Sequence, residues 1–396
     1  MTDQWKHALA ELEGYVAANP EIKISRQVTI MPDDKRAGFY QLFDRARLAF
    51  LEEKTPAIYS EACQLSSAFL AEAGELKNTL RLANITTPPQ LQWLLTDPPK
   101  GLSRGIFDPL FRLLQGERSL GEFETEAISA VEAYWKNLYK QGYWGWVILS
   151  LANMLLPDKV LAPSWKTIVR ECHELQPDEK RGWAEQHVPE PDEIDQIELG
   201  HEGASPAFIV PDIILSSQKL GKFVSFGANL DDASWHAKNA SNFRDWIILR
   251  KRGLESKPRL NWPGLVVYTD NEPAEISIIA DFSRFLRPEI MLEYMDRADW
   301  YQQGDLEKIK TRNEFFRPSL GTFIITRHPV PDEVIKALDP ENIPVVETAG
   351  ASPDSHIFII PAAGYDRSVL APIIDALLKQ VEAGGKTELT SQPGID

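Results

Sequence analysis

Cysteine is almost missing from this 396-residue chain, with only Cys63 and Cys172 present. The two lie far apart and outside any C-x-x-C spacing, which excludes a disulfide framework or a cysteine zinc cluster and makes a reducing cytosol the expected compartment. Long apolar runs are missing too. The most lipid-like stretch, Tyr143 to Leu156, is shorter than the roughly 20 residues a spanning helix requires and reads as a buried helix, so no membrane is expected as a partner. The first residues, Met-Thr-Asp-Gln-Trp-Lys-His, have no apolar core of signal-peptide type. Positive charge is in deficit: 42 Lys and Arg against 58 Asp and Glu leave a net charge of −16. Such an acidic protein is a poor nonspecific binder of nucleic acid over its whole surface, though a local basic face is compatible with it. No Walker loop, Gly-x-Gly-x-x-Gly or Gly-x-Ser-x-Gly occurs, and the seven histidines are scattered with no pair at zinc-helix spacing.

What the chain does contain is a series of short β-branched runs between about Phe208 and Arg327. Phe208–Leu215, Lys222–Phe226, Gly264–Thr269, Ile276–Asp281, Glu289–Met295 and Gly321–Thr326 are each bounded by Gly, Pro, Asn or Asp, the signature of strands in a buried sheet. Beyond them, Pro331–Leu338 reads as a short helix, Ile343–Glu347 and His356–Pro361 as strands, and the stretch from Asp366 to Val381 as an amphipathic helix ended by Gly384-Gly385. The expected fold class is therefore α/β, with α+β as the alternative and a mixed sheet across residues 206–385.

Residues 1–174 read as a mainly helical domain. Met31-Pro-Asp-Asp opens a helix in which Phe39, Leu42, Phe43, Ala46 and Phe50 recur at helical spacing, and a second helix follows from Ile58 to Leu76. Glu21–Ile30 alternates like a strand. Phe123–Lys140 gives a further helix, and Tyr134, Trp135, Tyr139, Tyr143, Trp144 and Trp146 read as core rather than as a sugar or base platform, because rings at helical spacing bury large areas. Residues 175–205 read as an acidic linker: Pro189 to Glu202 holds six carboxylates without Lys or Arg, and it lacks the order of ligands an EF-hand loop requires. The polar tail 386–396 is expected to be disordered.

Two halves of the central region can be overlaid. Ile213-Ile214 and Ile278-Ile279 stand 65 residues apart, as do Ala233-Ser-Trp235 and Ala298-Asp-Trp300, and Gly264 and Thr269 match Gly321 and Thr326. An internal duplication is one reading of this, and chance similarity between β-rich segments is the other.

The order helix, strand, strand, strand, helix, strand over residues 238–327 resembles the core of restriction-endonuclease-like PD-(D/E)XK nucleases. That resemblance implies magnesium held by an acid on one strand and an acid on the next, with a lysine two residues later polarising water. Placed on Pro211-Asp212, the pattern finds Ser225-Phe226-Gly227 where the acid and lysine belong. Placed on Asp281 and Glu293, it keeps both carboxylates but has Met295 at the lysine position. Lys308 is then the candidate catalytic cation from the next helix, with Lys310, Arg284 and Arg297 also near in sequence. A basic island of Arg244, Arg250, Lys251, Arg252, Lys257 and Arg259, interleaved with Trp246 and Trp262, has the composition of a nucleic-acid contact surface; it also suits the negative end of a helix stopped at Gly253.

The reading that results is a cytosolic binding or interaction module on a degenerate nuclease-like core, with a protein or nucleic acid as partner and no cofactor of its own. One alternative is a Mg²⁺-dependent nuclease using Asp281 and Glu293. Another is a small-molecule α/β enzyme with its site in the loops after Thr269, Thr326 or Pro361.

Overall fold

Aromatic residues spaced three and four apart dictate the first part of the chain. The computed structural model describes residues 4–25, 28–172, 182–199, 210–228, 264–279, 286–338 and 356–384. It divides into two compact units, residues 1–74 with 87–146 and residues 75–86 with 147–396. Helix α1 spans Gln4–Ala18, and an antiparallel hairpin of β1 (Lys23–Ser25) and β2 (Val28–Ile30) follows where a single strand was expected. Helix α2 (Asp33–Lys54) starts behind Pro32 with Asp33 and Asp34 in its first turn, where carboxylates suit the positive end of the helix. Its buried Phe39, Phe43 and Phe50 meet other rings: Phe43 stands 4.9 Å from Phe111, and Trp5 stands 5.2 Å from Phe50. Helix α3 (Pro56–Leu80), strand β3 (Asn84–Thr86) and the short helices α4 (Pro89–Thr96), α5 (Pro98–Ser103) and α6 (Phe107–Leu114) complete this stretch.

Helix α7 (Leu120–Met154) runs through 35 residues, where the sequence suggested two helices. Gly142 and Gly145 do not break it, because their missing side chains make room for others. A Cβ on Gly142 would lie 2.8 Å from Leu65 Cδ2, and one on Gly145 would lie 2.6 Å from Phe69 Cε2. Trp135, Tyr139, Tyr143, Trp144 and Trp146 are all buried, as the core reading required.

Among the described residues, the second unit is built on a mixed sheet of eight strands. Its strands are β4 (Pro157–Cys172), β5 (Gly182–Glu193), β7 (Ile213–Ser217), β8 (Lys222–Ala228), β9 (Leu265–Asp270), β10 (Ile290–Met295), β11 (Thr322–Thr326) and β12 (Ile357–Ile360), in the spatial order β12-β11-β10-β9-β8-β7-β4-β5. Every pairing from β5 to β10 is antiparallel; β10–β11 and β11–β12 are parallel. A parallel neighbour cannot be reached through a tight turn. Accordingly β10 and β11 are joined through α8 (Asp305–Phe316), and α9 (Asp332–Leu338) follows β11. The chain closes with α10 (Ala371–Gly384), whose buried Ile373, Ile374 and Leu377 form the expected apolar stripe.

Three expectations need correction. Ile276–Ile279 is a turn segment rather than a strand, because Pro273 interrupts the run and Ser277 turns its hydroxyl back to donate to the Ala274 carbonyl at 2.8 Å. Ile278-Ile279 therefore does not repeat the strand conformation of Ile213-Ile214, and this pair gives the duplication no support; Ala233–Trp235 lies outside the described residues. The segment read as a linker also carries ordered strands: β5 pairs with β4 over its full length, and β6 (Gln196–Glu198) pairs in parallel with β3. Pro189 and Pro191 are tolerated there because β5 is the outermost strand, where one row of amides has no ladder to join. The strand expected at Ile343–Glu347 and the tail 386–396 lie outside the described residues.

Gly145→Ala should lower stability in a urea melt by about 1–3 kcal/mol through overpacking against Phe69. Gly74→Ala, in α3 with nothing within 4 Å of the new Cβ, should raise it by about 0.5–1 kcal/mol. Equal effects at the two positions would contradict the packing described for α7.

Candidate functional site

Glu293 sits in the middle of β10, flanked by Leu292 and Tyr294, and its strand neighbour in the parallel pairing is Ile324 of β11. Alternation along β10 puts it on the face that carries Met291 and Met295. That face is not solvated. Helix α8 and α9 cover it with a cluster of Trp300, Ile309, Ile324, Val330, Leu338 and Ile357, and Glu293 itself is 4 % exposed.

A carboxylate at such a place needs a partner, and α8 supplies one. Arg312 Nε donates to Glu293 Oε1 at 2.5 Å, with the arginine itself only 7 % exposed. The next residue, Asn313, accepts a hydrogen bond from the buried Thr322 hydroxyl of β11 at 2.6 Å. Two successive side chains of one helix thus hold two adjacent parallel strands. Arg312 escaped the sequence reading, yet its signal is present: Leu306, Ile309 and Phe316 mark the apolar side of α8, and helical spacing from Ile309 puts residue 312 on that same side.

A guanidinium already occupies Glu293 Oε1 inside an apolar layer, so a magnesium ion there would have to share the carboxylate with it. Asp281, the proposed companion, lies outside the described residues, as do Arg284 and the whole basic island Arg244, Arg250, Lys251, Arg252, Lys257 and Arg259. Among the described residues no group of three or more His, Cys, Asp or Glu is placed to hold a metal ion. The candidate cation Lys308 is bound on the surface of α8, donating to Asp305 Oδ1 at 2.7 Å; that bond holds the Asp305 carboxyl below its usual range. Lys310 pairs with Glu307 and Arg297 with Asp305. In the other placement of the motif, Asp212 is used structurally: its Oδ2 accepts from the Ala228 amide at 2.5 Å, tying the start of β7 to the end of β8.

The loops at the strand ends are similarly committed. The Thr326 hydroxyl donates to the His328 carbonyl at 2.8 Å and accepts from the Ala362 amide at 3.3 Å, while the Ala363 amide donates to the Thr326 carbonyl at 3.0 Å. After β9, Asp270 Oδ1 accepts from the Glu272 amide at 3.0 Å. These groups converge on one another.

Comparison with family models, with curated proteins and with solved structures gave no match. The chemistry must therefore be argued from the side chains.

A second acid emerges from the geometry. Glu289, directly behind Pro288 at the head of β10, accepts the Thr269 amide on its Oε2 at 2.9 Å. Burial pushes its carboxyl up to about 7, against the opposing pull of that amide bond. Asp270 reinforces the rise and Lys222 opposes it. Tyr268 beside it is fully buried, and desolvation followed by the Glu289 charge holds its phenol well above the ordinary range. The sequence clue to Glu289 was an acid in phase with the inward-facing Met291.

Two measurements follow. Arg312→Met should cost about 3–5 kcal/mol, because it strands the Glu293 carboxylate, whereas adding Glu293→Leu to it should recover most of that loss. Urea melts of the two single variants and the double variant test this; a double variant no better than Arg312→Met would show that the pair is not the reason for the loss. For Glu289, the folded-state value of about 7 lies above the ordinary 4.5. Its contribution to stability is then fully present below about pH 4.5 and lost as pH rises through about 7. Glu289→Gln should flatten the decline between about pH 5 and 8 and gain about 2–3 kcal/mol over the parent above pH 8.

Proposed function

We propose that the chain is a binding or interaction module whose nuclease-like α/β core serves as a scaffold, with nucleic acid as the candidate partner of the basic island at Arg244–Arg259. The observation that carries this reading is the buried ion pair between Glu293 and Arg312. It engages the one acid of the proposed metal pair that lies among the described residues, and it does so as a strut between strand and helix. A magnesium-dependent nuclease would have to share that carboxylate with Arg312. The surface cation Lys308, already bound by Asp305, gives that alternative little support.

The binding half of the proposal rests on residue types. Arg250, Lys251 and Arg252 supply charge for phosphates, and Trp246 and Trp262 supply planar surfaces for bases. In so acidic a chain, these would confine contact to one region and make it strongly dependent on salt.

The decisive experiment incubates the purified full chain with plasmid and with single-stranded DNA in Mg²⁺ or Mn²⁺, and measures binding across a salt series. Retention of DNA without cutting is expected, with binding weakened roughly tenfold or more in the Arg250→Ala, Lys251→Ala, Arg252→Ala triple variant and a shallower salt slope. Cutting that is lost in Asp281→Ala would establish the nuclease reading instead. The single variant is preferable to one at Glu293, whose removal would strand Arg312.

A further inference from the structure

One hairpin outruns its sheet. Strand β4 pairs with β7 only as far as Leu161, opposite Ile214, while its pairing with β5 continues without a register shift until Cys172 meets Gly182. The reason lies just before β7: Pro211 has no amide to offer a ladder, and the Asp212 amide donates to the Phe226 carbonyl of β8 at 2.8 Å. Among the described residues, Ala162–Cys172 and Gly182–Asp192 therefore form a two-stranded ribbon beyond the sheet. A ribbon of two strands is marginal in water and is stabilised by a third.

The direction of the ribbon's amides follows from one bond. The Ile194 amide donates to the Val160 carbonyl at 3.2 Å, in register with the pairing of Leu161 and Glu193, so Val160 turns its backbone polar groups to β5 and Leu161 turns its own to β7. Alternation along the unshifted strand then sends the amides of Trp165, Thr167, Val169 and Glu171, and the carbonyl of Pro163, to the side away from β5. The same parity puts Pro189 and Pro191, the register partners of Trp165 and Pro163, on the outer edge of β5, where neither can donate. That edge is blunted, and its strand holds Glu185, Glu190, Asp192 and Glu193 without Lys or Arg. The open edge of β4 has no proline after Pro163, and its free length holds Lys166 and Arg170 against Glu171. In a chain of net charge −16, this is a stretch where two copies can meet without acid facing acid.

We infer that the open edge of β4 is a dimerisation site, at which a second copy of this chain adds its own β4 antiparallel about a two-fold axis and joins the two ribbons into one of four strands. A two-fold axis normal to a sheet brings identical strands together in the antiparallel sense only, and it closes the pair, leaving the blunted β5 edges outside. The open row overlaps its copy over the greatest length when centred on its middle residue. That residue is Thr167, which then pairs with itself, with Trp165 opposite Val169 and Pro163 opposite Glu171. The missing amide of Pro163 falls at the two ends of the ladder, where it removes least.

Sedimentation equilibrium on the full, reduced chain over about 1 to 100 µM tests this. A monomer–dimer equilibrium is expected, weakened about hundredfold or more in Thr167→Pro, which removes the central amides and sets a ring against the partner strand while leaving the bonds between β4 and β5 in place. A parent that stays monomeric across the range, or a dimer of unchanged strength in Thr167→Pro, would overturn the proposal. If the proline variant does not fold, cysteine substitution decides. Residues directly opposite in a hydrogen-bonded antiparallel pair stand about 5.5 Å apart between Cα atoms, within disulfide reach. Mild oxidation should therefore link Thr167→Cys into a covalent dimer beyond any linking of the parent through Cys63 and Cys172. Ser164→Cys, which falls opposite Arg170 of the second copy and not opposite itself, should give no such gain. Equal linking at both positions, or none at Thr167→Cys, would equally overturn it.

Discussion

The ion pair between Glu293 and Arg312 is the constraint on which the parallel half of the sheet depends. Helix α8 must cross from the end of β10 to the start of β11, and its sequence is only moderately apolar, with Leu306, Ile309 and Phe316 facing inward. Such a stripe fixes which side of the helix is buried but leaves its sliding along the sheet weakly determined. The bond from Arg312 to β10 and the bond between Asn313 and Thr322 of β11 remove that freedom. The same pair sets the register of β10. A slip of one residue would turn Glu293 to the opposite face, away from the Arg312 guanidinium.

That requirement bears on a motif-based reading of this region. An acid in the middle of a strand, preceded by another acid a dozen residues earlier, has the look of a metal pair. Glu293 stands in an apolar layer, which accepts a carboxylate only when a fixed donor comes with it. Arg312 comes from the helix between the strands, at a distance in sequence that the acid, any residue, lysine spacing does not sample.

How much of this could be read beforehand follows from which interactions are local. The strands at 222, 265, 290 and 322 announce themselves through β-branched runs cut off by turn residues, and their periodicity survives into the fold. So do the helices at Asp33 and Asp332, opened by proline and acids. Less legible were features settled by distant partners. Gly142 and Gly145 look like breaks in a helix until Leu65 and Phe69 fill the space beside them. The acidic, proline-bearing stretch at Gly182–Glu193 looks like a linker until β4 offers it a ladder. Ile276–Ile279 has strand composition, and the turn after Pro273 overrides it. Arg312 and Glu289 each stand in phase with an apolar stripe, and a charge in phase with the core is the signal by which both could have been found.

Glu293 and Glu289 lie four residues apart along the same strand region, yet the sheet treats them differently. Glu293 receives a full cation in a closed layer and becomes a fixed strut. Glu289 receives two amides, that of Thr269 and its own, with Lys222 and Asp270 acting in opposite directions, at a position partly open to solvent. The first arrangement is an ion pair closed into an apolar layer. In the second, burial outweighs those pulls and raises the carboxyl to about 7. The sheet can carry both because the difference lies in what meets each acid: a buried arginine for Glu293, and for Glu289 the Thr269 amide near the end of β9.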